Sequence, residues 1–336
     1  MDAKKFLLDF HRGPGDVLVM TSLVRDLKLT YGDRVKVAVQ TSHPSIWKYN
    51  PYLDTVAPGE KFNRLQLSHR PHKPTDADVI GCRESRQGSR KHYTTVFHQV
   101  FQDRTGLAVE PLFSRPDFHL SVSERANPRI AGRYWVIIPG GKQDMTNKIW
   151  PQGRYQAVVD RLRPWGLSFV QEGTKKRGHI HQSLENVLCL LGQTSIRELA
   201  VNIYHAEGVI CGCSLPMHLA AALEKPCVVL LGGREEPCYE HYSNAWGAFG
   251  PKAAPVRVPH RILHTLGQLP CCRLHGCWKR RVEVLPDGNS NYNRSLCERP
   301  LGEAGRKVPE CMDRISVSHV VEAVMSYYVD GTLPPL

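Results

Sequence analysis

The chain contains no run of about 18 apolar residues, so no segment is long enough in hydrocarbon to cross a bilayer as a helix. Its opening, from Met1 to Phe10, has a short apolar run interrupted by Asp9 and no small-residue cleavage site. That argues against a secretory leader and predicts a cytoplasmic protein. No Cys-x2-Cys pair occurs, which sets aside the common zinc modules. Acidic residues are in short supply: 32 Asp and Glu face 44 Lys and Arg, a formal charge of +12, with a pI near 9.2. Such an excess draws polyanions in general, whether nucleic acid, anionic lipid head groups or phosphorylated glycans. The 11 cysteines are odd in number, and in a reducing compartment they read as thiols or metal ligands rather than disulfides.

What is present describes an ordinary globular protein. Hydrophobic residues make up 41% and charged residues 23% of 336, with a mean hydropathy of -0.34. That length predicts two domains. The stretch from Val209 to Gly233 organises the second: a strand end, a tight turn at Cys211-Gly212-Cys213, a helix opening at Ser214, and a strand breaking on Gly232-Gly233. Ser214 suits an N-cap and Pro216 a first helical turn. Pro226 stops the helix, and the apolar run Val228 to Leu231 fits a strand buried on both faces. The helix N-terminus could face a phosphate, or the whole could be a packing unit of an α/β domain.

Lys5 to Phe10 is a strand candidate followed by the turn His11 to Asp16. Val17, Met20, Val24 and Leu27 then predict a helix from about Asp16 to Thr30. Gly13 and Gly15 allow close approach to a ligand, and Asp16 is either a cleft acid or a helix cap. Val35 to Thr41 is a second strand. From Gly59 to His92 only Ala77 to Gly81 looks like a strand. The flanking basic residues, among them Arg64, Arg70, Lys73, Arg86, Arg90 and Lys91, form loops that are a solvated face or the seat of an anionic acceptor. A helix returns from Tyr93 to Gly106, and polar residues 121–133 read as a linker.

The second half repeats β and α patterns: a strand at Tyr134 to Pro139, a helix over 153–163, strands at Leu167 to Val170 and Val187 to Leu190, and a helix after Thr194-Ser195 with Glu198 completing a capping box. A final amphipathic helix covers Ile315 to Tyr328. Alternating strands and helices predict α/β architecture with parallel sheets. Domains are expected at 1–128 and 129–315, with the last helix, 316–336, packing back across the cleft between them.

Gly15-Asp16-Val17-Leu18, Thr21 to Leu27, Asn50 to Asp54, Lys148-Ile149-Trp150-Pro151, Leu191 to Ala200, Pro216 to Leu223 and Gly232-Gly233 stand in one order along nearly the whole chain. In that combination the chain resembles glycosyltransferase family nine, the heptosyltransferase group. The resemblance implies a GT-B fold, two Rossmann-like domains facing a cleft, with the acceptor on the N-terminal domain and a nucleotide-sugar on the C-terminal one. It implies that Asp16, after Gly15, is the general base and that Lys148 meets the donor diphosphate. It further implies that Ser214, Pro216, Met217, His218, Gly232 and Gly233 bind the donor. One departure stands out: Cys213 occupies the turn position where the family commonly has a sugar-contacting acid, and Leu215 replaces a usual glycine. A thiol cannot accept hydrogen bonds as a carboxylate does.

Five cysteines, Cys271, Cys272, Cys277, Cys297 and Cys311, fall between Gly267 and Cys311. Soft sulfur donors suit iron or zinc, and Cys272, Cys277, Cys297 and Cys311 are the candidate ligands of a structural metal; free buried thiols are the other reading. Family members that glycosylate autotransporter proteins resemble this in carrying an iron-binding cysteine set. No catalytic metal is expected, because no Asp-x-Asp pair is placed to hold one against a diphosphate. The expected activity is inverting transfer of heptose or a related sugar to an anionic acceptor, a lipopolysaccharide core or a protein, with peripheral membrane contact. Two alternatives carry the +12 charge elsewhere: a transferase modifying hydroxylated bases in phage DNA, and a metal-stabilised nucleic-acid-binding protein without catalysis.

Overall fold

The computed structural model describes residues 3–67, 92–234, 237–246, 248–273, 276–277, 279–303 and 307–336. The expected strand at Ala77 to Gly81, and the expected acceptor residues Arg70, Lys73, Arg86, Arg90 and Lys91, lie outside them. In the first unit, β1 (Lys4–Phe10), β2 (Val35–Thr41) and β3 (Asn63–Gln66) form a parallel sheet in the order β2-β1-β3. Helix α1 (Pro14–Tyr31) starts after extended Gly13, with Pro14 in its first turn, where a missing N–H costs nothing. Every residue from Val17 to Leu27 is buried, so α1 is a central helix with covered flanks on all sides. Helix α2 (Tyr93–Thr105) ends on Gly106 at φ 70, the left-handed closure glycine makes cheaply.

The polar stretch read as a linker is pinned. Ser121 and Glu124 cap a short helix, α3 (Val122–Ala126), and the Glu124 carboxylate takes two 2.6 Å hydrogen bonds from Arg197. Arg197 also reaches the carbonyl of His119 at 2.7 Å and lies over the Tyr49 and Phe118 rings. Polarity there marks an ionic clamp between the units.

In the second unit, β4 (Trp135–Ile138), β5 (Gly141–Lys142), α4 (Gln152–Leu162), β6 (Phe169–Gln171), β7 (His179–Ile180), β8 (Leu188–Cys189), α5 (Ile196–His205), β9 (Gly208–Gly212), α6 (Leu215–Ala222), β10 (Cys227–Gly232), α7 (Pro237–Glu240) and β11 (Arg261–His264) follow in order. Six strands pair in parallel as β11-β10-β9-β4-β6-β8, while β5 and β7 form a small antiparallel ribbon. The capping box at Ser195 and Glu198 opens α5. A further ribbon, β12 (Pro300–Leu301) with β13 (Val308–Pro309), precedes the last helix, α8 (Val317–Val329).

One apolar cluster runs from Phe6, Leu8 and Phe10 through α1 to Met217, Leu219, Val209 and Leu231. Helices α1 and α6 are the seam between the units, and their first turns open on the same side. The last helix departs from expectation: α8 lies on the second sheet and not across the cleft. Val320, Val324, Tyr327 and Tyr328 bury with Trp135, Trp150 and Tyr155, and the Tyr327 hydroxyl donates to the carbonyl of Pro259 at 2.8 Å. Its apolar stripe is consumed by its own unit. Among the described residues no helix is long and apolar enough to cross a membrane.

Candidate active site

The Gly13-to-Asp16 turn leaves β1 at the carboxyl end of its sheet, where open α/β sheets place ligands. Asp16 is held at both carboxylate oxygens: Oδ2 accepts from the Gly13 N–H at 3.2 Å and Oδ1 from the Tyr93 hydroxyl at 3.1 Å. The carboxylate thus caps α1 and also meets a tyrosine from α2, so the cap and the cleft acid are one residue. Tyr93 is buried, with Phe97 and Tyr239 rings each 5.5 Å from its own. Gly15 sits where the first turn of α6 arrives: a Cβ there would stand 3.2 Å from His218 Cδ2 and 3.6 Å from Leu215 Cα. Glycine at 15 is what lets the two units meet.

On the other side of that contact lies the turn between β9 and α6. Lys148 reaches it from the end of a 3-10 turn (Gln143–Lys148), its Nζ 3.4 Å from the Cys213 carbonyl and 3.7 Å from Cys213 Sγ. Cys213 Sγ stands 2.5 Å from Glu240 Oε2. A carboxylate therefore does stand at this turn, contributed from α7, 27 residues away in sequence. Ser214 precedes α6 but does not cap it; its hydroxyl bonds the Gly212 carbonyl at 3.3 Å and is exposed. Met217 and Pro216 are buried, and His218 is turned to Tyr242, whose hydroxyl lies 2.7 Å from His218 Nδ1. Of these four, Ser214 alone is exposed.

The segment after Gly233 was not legible in the sequence as part of a site. Tyr239, Glu240 and Tyr242 touch Tyr93, Cys213 and His218 in turn, so it straps both units at the seam. Behind it, His92 stacks on Phe249 with ring centroids 4.1 Å apart. Burial, then the neighbouring His218, His241 and His260, hold the His92 imidazole far below its ordinary range. Burial, then His241 and His218, hold His260 down to about 3.

Arg64, expected on the acceptor side, makes hydrogen bonds of 3.0 and 2.7 Å to buried Asp9; its guanidinium is tied to the sheet edge. Burial lowers the His43 pKa, as do the charges of Lys176 and Lys142, against a backbone hydrogen bond of Arg12 and the charge of Asp16.

Gly232 and Gly233, expected to let a nucleotide approach, are themselves closely approached from within their own unit. Gly232 has φ 62, and a Cβ on it would lie 2.6 Å from Met312 Sδ and 3.2 Å from Cys311 Sγ; one on Gly233 would lie 2.8 Å from Cys272 Sγ. The space a side chain would need belongs to the cysteine region. There Cys271, Cys272, Cys277, Cys297 and Cys311 line one cavity of about 10 Å³ with Arg234, Arg299 and Glu310, room for a single ion or water. Burial, with the neighbouring thiols, pushes Cys271 and Cys311 up to about 11. Among the described residues no group of three or more His, Cys, Asp or Glu stands at metal-holding geometry. The sulfur donors gathered on one ion-sized space nevertheless fit a thiophilic ion. Buried Arg281 anchors the polar loop beside it through Asp144, Asp287 and Asn293. Among the described residues no cysteine pair forms a disulfide.

The model of glycosyltransferase family 9 (heptosyltransferase) matches residues 84–254. That is 171 of 336 residues, half the chain. The chain belongs to glycosyltransferase family 9. It is 30% identical over 123 residues to lipopolysaccharide heptosyltransferase 3 of Escherichia coli, a match spanning 34% of this chain and 36% of that protein. The crystal structure of a glycosyl transferase family 9 protein from Veillonella parvula superposes over 98% of both chains, with TM-score 0.59 and 12% identity. The E. coli ADP-heptose lps heptosyltransferase II covers 98% of this chain and all (100%) of its own, with TM-score 0.54 and 14% identity. The iron-containing dodecameric glycosyltransferase TibC of enterotoxigenic E. coli covers 99% of this chain and 80% of its own, with TM-score 0.62 and 14% identity. The fold is GT-B, two Rossmann-like units about one cleft.

Proposed function

We propose that the protein transfers a sugar, with inversion, from a nucleoside-diphosphate sugar to a hydroxyl of an anionic acceptor. The reading rests on one observation above all: the Asp16 carboxylate, fixed by Gly13 and Tyr93, stands where the opening turns of α1 and α6 meet. In the proposed reaction the acceptor oxygen bonds to the anomeric carbon as its proton passes to Asp16. The bond from that carbon to the diphosphate oxygen breaks, and the nucleoside diphosphate leaves with the electron pair. General base catalysis of this kind contributes about 10²- to 10⁴-fold. Lys148 and the N–H groups at the start of α6 offset charge growing on the leaving group. Tyr93 is a positioning residue: its hydroxyl donates to Asp16 Oδ1 and fixes the carboxylate's orientation.

The donor to try first is ADP-heptose, which the TibC neighbour binds in its own crystal structure. Glu240 beside Cys213 offers the sugar the carboxylate that the turn itself lacks. Cys272, Cys277, Cys297 and Cys311 would hold an iron or zinc ion, which would cross-link the polar loop to the end of β10 and serve structure. The acceptor is proposed to be a phosphorylated glycolipid core or a protein, met by Lys142, Lys176 and His43.

A thermal-shift panel of ADP-, UDP-, GDP- and CMP-sugars tests the donor side. Ligand that binds only the folded chain raises the midpoint. One nucleotide series is expected to raise it, and Lys148→Ala to abolish that rise; no shift with any donor would overturn the reading.

A further inference from the structure

At the far ends of α1 and α6, away from Asp16, lies a second cavity of about 310 Å³, within the range of small-molecule sites. Its walls come from both units: Arg25, Tyr52, the 113–120 segment and Arg125 on one side, Tyr204 and Glu224 on the other. Arg25 is nine residues beyond Asp16, which at helical rise is roughly 14 Å along α1.

Several polar groups on this cavity make no hydrogen bond to protein. Among the described residues these are the Tyr52 and Tyr204 hydroxyls and the exposed Arg125 guanidinium, while His119 Nε2, buried without a hydrogen bond, faces Asp117 Oδ2 at 3.9 Å. The remaining charges are matched. Asp117 Oδ1 takes Arg25 and Arg115 at 2.9 and 2.8 Å, and Glu224 takes Arg115 at 3.3 Å and Arg257 at 3.1 Å. Phe113 and Phe118 supply apolar faces.

We infer that this cavity is an accessory saccharide-binding site, separate from the catalytic cleft. A bare oxyanion only accepts hydrogen bonds and would be pressed against Asp117 and Glu224. A polyol donates and accepts at every hydroxyl, so it serves the unpaired tyrosines and arginine and also uses the free lone pairs of the two carboxylates. Aromatic rings cover the C–H faces of a sugar through their apolar bodies. An occupant bridges the units, because each contributes donors.

Saturation-transfer NMR on the full chain tests this, with methyl glucoside, galactose, N-acetylglucosamine, a glycero-manno-heptose and maltose as probes, and inorganic phosphate followed by thermal shift. At least one saccharide should give a signal whose Kd rises about fivefold in Tyr204→Phe and in Arg125→Ala. The same signal should survive in Lys148→Ala and Asp16→Asn, so failure of the catalytic reading leaves this result standing. Arg125 is exposed and Tyr204→Phe removes one oxygen, so both variants should fold, which circular dichroism checks. The inference is overturned by silence from every saccharide, by a shift with phosphate alone, or by a signal that Lys148→Ala removes and Arg125→Ala does not.

Discussion

The two glycine turns of this molecule look alike in sequence and do opposite work. Gly13-Pro14-Gly15-Asp16 brings α1 against the first turn of α6 and leaves a carboxylate fixed in the seam. Gly232-Gly233 ends β10 and surrenders its side-chain space to Met312, Cys311 and Cys272. Glycine announces that something comes close. What comes close is decided by the partner: a helix start facing a cleft in one case, a sulfur-lined cavity in the other.

The contrast can be broken from either side. A large effect is expected from Lys148→Ala, which should lower transfer by about 10²- to 10³-fold, as the loss of one preorganised group at a leaving-group oxygen does. The check is kcat and donor affinity side by side, with circular dichroism unchanged. Gly232→Val puts a branched side chain into left-handed backbone at φ 62 with Met312 Sδ already 2.6 Å from its Cβ. It should cost about 1–3 kcal/mol of stability, read by denaturant unfolding. If Gly232→Val instead left stability untouched and weakened only nucleotide binding, the second turn would belong to the cleft after all.

Tyr93→Phe keeps the ring between Phe97 and Tyr239 and deletes the bond to Asp16. The kcat should fall about tenfold while the KM for the donor stays where it was. A merely structural tyrosine would lower the melting point and leave kcat in place.

The smallest effect is on pH. His260, held down to about 3, and His92, held far below its usual range, take fewer protons folded than unfolded. The unfolded chain therefore gains protons first as pH drops through about 6.5, and stability falls from there toward the folded value near 3. Glu124, held down to about 2 by Arg197, acts lower: its contribution is present above the ordinary Glu range and is lost as pH falls toward 2. Urea midpoints between pH 7 and 4 should fall in the wild type and fall less in His260→Asn. Parallel curves would remove the buried histidines as the cause.

Much of the layout was legible because it is written locally. The apolar run Val228 to Leu231 became β10, the helix expected at 16–30 runs over Pro14–Tyr31, and the Ser195 and Glu198 cap stands as read. What sequence could not carry was contact between distant residues. Nothing in Pro237 to Tyr242 hints that its side chains reach Tyr93, Cys213 and His218, since that depends on where the chain returns after β10. Placing Arg64 in a loop failed for the same reason: it lies on β3 and meets Asp9 of the adjacent strand, 55 residues away. The last helix was assigned to the cleft although its apolar stripe fits the second sheet equally well by periodicity alone. Only the aromatic residues it meets, Trp135 and Trp150, decide the matter.

In the proposed reaction Asp16 takes the proton and does not hold the donor. Nucleoside-diphosphate release from ADP-heptose, or from whichever donor binds, in the presence of a lipopolysaccharide core acceptor separates these roles when wild type and Asp16→Asn are compared, with donor affinity measured by calorimetry on both. The account predicts unchanged donor affinity and a rate at least about 10²-fold lower. Wild-type rate in Asp16→Asn, or loss of rate that tracks loss of donor binding, would contradict it.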